Sequence, residues 1–92
     1  GFRLRILGTL KTVSLVQWYE FIAEPGAKLE SESHGKGSLE SISLCTGNLT
    51  VTVGDEIQII CPGETLRYHT HLPHILKNES NKDSHGFMVN LL

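Results

Sequence analysis

Short apolar and β-branched runs, broken by Gly, Pro, Asn or Asp about every ten residues, recur along this chain, and no stretch carries a convincing helical repeat. The pattern predicts an all-β sandwich or barrel. Residues 3–7 (RLRIL) alternate, and residues 14–23 (SLVQWYEFIA) read as one long strand ended by the Pro25-Gly26 turn. Further strands are predicted over Glu40–Thr46, Leu49–Val53, Glu56–Cys61, Thr65–His69 and Gly86–Leu92, with turns at Gly47-Asn48, Gly54-Asp55 and Pro62-Gly63. In LTVTV the alternation is clean, so Leu49, Val51 and Val53 share one face. Glu56–Cys61 is more uniformly apolar. Residues 78–84 (NESNKDS) are polar throughout, which predicts a solvated loop with no part in the core.

A chain of 92 residues makes one domain, and a domain this small buries only about 60–65% of the surface its unfolded form exposes. Pairing with a second copy would add stability. Eight Lys plus Arg stand against ten Asp plus Glu, with the cations scattered from Arg3 to Lys82. Without a clustered cationic face to release phosphate counterions, this segment is not expected to bind nucleic acid itself. Cys45 and Cys61 sit in apolar runs without a signal peptide, which predicts free, buried thiols. No apolar run approaches the roughly 18 residues of a membrane helix, so a soluble, cytoplasmic chain is expected. It opens abruptly in a strand-like run, as a piece of a longer protein would.

Two polar blocks flank the central turn. The first, PGAKLESESHGKGSLESISLCTG at 25–47, carries Gly26, five residues, Glu32, Ser33 and His34, then Glu40, six residues and Gly47. The second, PGETLRYHTHLPHILKN at 62–78, carries Gly63, His74 and, after three residues, Asn78. From about Trp18 to Leu92 this arrangement resembles a cupin. The resemblance implies a small double-stranded β-helix (jelly-roll) barrel, with residues 1–92 as a single cupin domain. Within that family the first block is most similar to the cupin at the C-terminal end of bacterial Xre-type helix-turn-helix regulators. Glu24-Pro25-Gly26-Ala27, the run from Glu30 to Gly37, and Glu40 follow that variant; Ser41 departs from it, since the subgroup usually has histidine there. Glu32 stands where metal-binding cupins have their first histidine, one extra residue separates His34 from Glu40, and the second block is stretched between Gly54 and His74.

Period two puts Glu40, Ile42 and Leu44 on one strand face. The resemblance turns that face into the barrel and leaves Ser41, Ser43 and Cys45 outward. Glu32 and His34 share a face by the same spacing and would meet Glu40 and His74 around one point. Two carboxylates and two imidazoles suit manganese, iron, nickel or zinc; the alternative is a ligand pocket that has lost its metal. Tyr68, just upstream of His74, offers a phenol to a polar ligand. His69 and His71 are expected at the rim or in solvent, and His85 on the surface of the polar loop. Trp18, Tyr19, Phe21 and Phe87 are read as core or dimer packing, and Lys36 as a contact for an anion. No serine lies on a nucleophile elbow, neither cysteine has a neighbouring base, and the glycines at 35 and 37 lack P-loop spacing, so no catalytic residue is assigned.

Three functions follow. The first, implied by the resemblance, is a small-molecule-sensing module: an effector held by Glu32, His34, Glu40, Tyr68 and His74 signals to a DNA-binding domain outside this chain, within a homodimer. The second is a metal-dependent dioxygenase, isomerase or decarboxylase using Glu32, His34, Glu40 and His74. The third is a dimerisation domain with an empty core.

Overall fold

The computed structural model describes residues 1–8, 16–32 and 38–91. Among these lie nine strands: β1 (Phe2–Leu7), β2 (Val16–Ala23), β3 (Lys28–Ser31), β4 (Leu39–Thr46), β5 (Leu49–Val53), β6 (Glu56–Ile60), β7 (Thr65–His69), β8 (His74–Lys77) and β9 (Ser84–Leu91). They form a five-stranded sheet in the order β1-β2-β9-β4-β7 and a four-stranded sheet in the order β3-β8-β5-β6. Every pairing is antiparallel. One core joins the sheets: Phe21, Ile42, Leu44 and Met88 come from the first, and Leu49, Val51, Ile60 and Leu76 from the second. The result is the expected small β-barrel. Among the described residues no helix is long and apolar enough to cross a membrane.

Strict alternation makes the core. β9 alternates buried and half-buried residues from Ser84 to Asn90, and β4 does so from Leu39 to Leu44. A β-bulge between Leu44 and Thr46 then breaks the register with β9. Cys45 falls in that irregularity and Cys61 lies just past β6, so both thiols are free and exposed instead of buried. Trp18 takes the outward phase of β2, opposite in facing to buried Phe21, and is half exposed; it is no part of the core.

Two strands were not expected. β3 (KLES) has one apolar residue and β8 (HILK) only two, so neither carries a repeat of its own. β3 is held by β8 alone, in the register Lys28↔Lys77 to Ser31↔His74, and β8 is held between β3 and β5. β6 differs in the opposite way. Its apolar run suggests a buried strand, yet it is the edge of the smaller sheet, with Ile57 67% and Ile59 63% exposed. β9 begins at Ser84, inside the segment read as loop.

At Gly86 on β9 the flanking strands β2 and β4 of the same sheet leave no room for a side chain. The Phe21 ring lies over it, and a Cβ there would run into the Ser43 carbonyl oxygen and sit 2.9 Å from Phe21 Cε1. Since the first obstacle is backbone, Gly86→Ala is expected to destabilise the fold by about 2 kcal/mol, within the range for overpacking. Urea denaturation checks this; a loss below about 0.5 kcal/mol would show that β4 yields freely.

Candidate functional site

Cross-strand register assembles the polar end of the barrel. Glu40 on β4 lies opposite Tyr68 on β7 and, on its other side, opposite Asn90 on β9. Asn90 in turn lies opposite Gln17 on β2. Tyr68, Glu40, Asn90 and Gln17 therefore form one row across the inner face of the larger sheet. The next row inward is apolar, with Leu66, Ile42, Met88 and Tyr19 in the same register. On the facing sheet, His74 is paired between Ser31 and Val53.

Glu40 is the centre of the site. Its side chain is buried, only 4% exposed, and that burial pushes its carboxyl up to about 7, against the opposing hydrogen bond from Asn90. The Tyr68 hydroxyl donates to Glu40 Oε2. His74 Nε2 lies 3.8 Å from the same oxygen. His74 Nδ1 lies 3.1 Å from the Leu72 carbonyl, which can only accept, so Nδ1 carries a hydrogen and Nε2 faces the carboxylate. The Tyr68 and His74 rings meet edge-on with centroids 5.4 Å apart. Asn90 is 8% exposed, and its Oδ1 has no hydrogen-bond partner among the described residues.

Beside this cluster lies a cavity of about 270 Å³. Glu40, Asn90, Gln17 and Ser31 are polar groups in its lining, and Leu29 and Met88 are apolar ones. A smaller hollow of about 140 Å³ is bordered by Ser31, Glu32 and His74. A larger, more open depression of about 350 Å³ lies over β1 and β2 at the exposed Arg5–Glu20 pair, away from the cluster around Glu40.

Of the five residues singled out from sequence, Glu40, Tyr68 and His74 come together. Glu32 is exposed at the smaller hollow. His34 and Lys36 lie outside the described residues. Among the described residues no group of three His, Cys, Asp or Glu side chains could hold a metal ion, and Glu40 Oε2 already accepts from Tyr68. His34, the remaining member of the expected metal set, lies outside those residues. His69 and His71 are exposed, as expected. His85 is on β9 and not in a loop: its Nε2 is 2.7 Å from Glu20 Oε2. That contact, then Arg5, holds the Glu20 carboxyl below its usual range.

Residues 19–90 match the family model for the cupin domain. The chain belongs to the cupin family. No curated protein matches it significantly, whereas many solved structures do. The cupin domain of an XRE-family transcriptional regulator from Enterobacter cloacae is 22% identical with a TM-score of 0.90, and the match covers 99% of this chain and 96% of that one. An HTH-family transcriptional regulator from Vibrio cholerae is 15% identical with a TM-score of 0.87; the match covers 99% of this cupin and about half, 51%, of that chain. A cupin superfamily protein from Desulfitobacterium hafniense is 17% identical with a TM-score of 0.82, covering 100% and 78% of the two chains. At these identities the likeness is one of fold.

Asn90, Gln17 and Ser31 escaped the sequence reading of this cupin, which followed the two family blocks. One signal was present. Asn90 shares its phase on β9 with Met88, so a polar side chain stands where the alternation demands a core residue.

Proposed function

We propose that this cupin is the small-molecule-sensing module of a helix-turn-helix transcriptional regulator, its effector held in the barrel and its DNA contacts made by a domain outside these 92 residues. The row Tyr68–Glu40–Asn90–Gln17 beside a cavity of about 270 Å³ carries this reading. A few convergent polar groups on an otherwise apolar wall are what small-molecule sites have in common. The Enterobacter and Vibrio regulators support the regulatory context. An effector shifts such a protein only by binding one of its states more tightly, so the cavity must differ between the DNA-bound and released forms. This reading puts the protein in the cytoplasm, with the DNA.

The test joins gene and protein. The reading frame preceding Gly1 is expected to encode a helix-turn-helix segment, and binding of the full-length protein to its own promoter should respond differently to effector when Asn90→Leu is introduced. A frame without such a segment would sink the regulator.

We also propose that the cupin works as a homodimer through the outer face of the larger sheet. Trp18, Val89 and Leu91 share that outward face, with Trp18 50% and Leu91 45% exposed. A second copy of the same apolar face is a self-complementary cover for it. Trp18→Glu is expected to turn a dimer into a monomer in analytical ultracentrifugation; an unchanged sedimentation coefficient would place the contact elsewhere.

A further inference from the structure

The unmet hydrogen-bonding capacity at the cavity has a sign. Asn90 gives its amide to Glu40 and is left with Oδ1, an acceptor, buried and without a partner among the described residues. A buried acceptor left alone costs about 1–3 kcal/mol, so a group that satisfies it is favoured there. The Glu40 carboxyl lies beside it, Gln17 and Ser31 add neutral polar groups, and no Lys, Arg or His is among the described residues lining the cavity. Hydrocarbon lines the cavity from both sheets, Leu29 on β3 and Met88 two residues before Asn90 on the same face of β9. A volume of about 270 Å³ corresponds to roughly nine water molecules, room for a chain of a few carbons.

We propose that the cavity takes a small alkylammonium ion, its –NH₃⁺ group donating to Asn90 Oδ1 and to the Glu40 carboxylate while its chain lies against Leu29 and Met88. The inference rests on the reading of the barrel as a ligand-binding module. An ammonium has three donors and no acceptor, which matches what the wall leaves open. An organic anion would bring like charge against a buried carboxylate, with no Lys or Arg among the described lining residues to offset it. An alcohol of the same length would satisfy Asn90 but leave the carboxylate without counter-charge.

Met88 is the single methionine of the chain and lines the cavity, so its methyl NMR resonance reports occupancy. The resonance is followed while the protein is titrated at pH 8 with n-butylammonium chloride, 1-butanol, sodium butyrate or potassium chloride. Expected are saturable shifts with butylammonium, binding at least ten-fold weaker with butanol, and none with butyrate or potassium. Glu40→Gln and Asn90→Leu should each weaken butylammonium at least ten-fold while the rest of the spectrum stays folded. If butanol or butyrate binds as tightly as butylammonium, the ligand-binding reading stands and the ammonium inference is overturned. Shifts with potassium chloride that equal those with butylammonium overturn it too, and silence from every probe removes both readings.

Discussion

Asn78→Ala is expected to lower the unfolding free energy by about 3 kcal/mol and the melting temperature by about 15 °C, a severe loss for a domain of this size. The side chain is wholly buried in a segment otherwise made of polar residues. Its Nδ2 donates to the Ala23 carbonyl at the end of β2 (2.8 Å) and to the Lys82 carbonyl (2.7 Å). Its Oδ1 accepts from the Ser80 backbone N–H (3.0 Å) and hydroxyl (2.6 Å). The backbone adds two more ties, Gly26 N to Asn78 O (2.7 Å) and Asn78 N to Ala27 O (3.0 Å). One amide thus pins the end of β2, the Pro25-Gly26 turn and the 78–83 loop. Truncation to Ala strands the Ala23 carbonyl among buried groups, where water cannot replace the lost donor. Differential scanning calorimetry decides the matter; a drop of under 5 °C would mean that the loop holds itself.

The second large effect is one of pH. Burial raises the Glu40 carboxyl from 4.5 to about 7. Between those values the folded protein keeps a proton that the unfolded chain gives up. Stability is therefore greatest at the acidic end of that window and falls as pH rises, by about 3 kcal/mol once pH exceeds 7. Glu20 acts with the opposite sign and in another window: its carboxyl is held low by His85 and Arg5, so its contribution is lost only as pH falls below 4.5. Glu40→Gln should flatten the profile from pH 4.5 to 7 and make the variant the more stable protein at pH 8. Chemical denaturation across that range reads it directly, and a slope that survives in the variant would assign the titration to another group.

The fold was largely legible because alternation is a local property. Seven of the nine strands found among the described residues carry their own period-two or apolar signal, and the glycine turns separate them. The site was legible in part. Glu40 and His74 stand in family blocks, and Tyr68 precedes His74 closely enough to be noticed; Glu32, placed by the first block, is exposed at the smaller hollow that it shares with His74.

What no local reading supplied came from pairing. β3 and β8 are too short to announce themselves and form because β8 pairs with β5 and β3 with β8, and Asn90 joins Glu40 only because β9 runs between β2 and β4. Ile57 and Ile59 are exposed because β6 lies at an edge, a fact about neighbours that an apolar run does not contain. Asn78 looks like loop because six polar residues follow it, while its burial depends on carbonyls that folding brings to it from Ala23 and Lys82. The sequence by itself determined the all-β class, the turns and which residues of a strand share a face, since side-chain direction alternates along the backbone whatever lies across from it. Only the tertiary structure decided which faces meet, because burial and hydrogen-bond partners belong to pairs of strands distant in the chain.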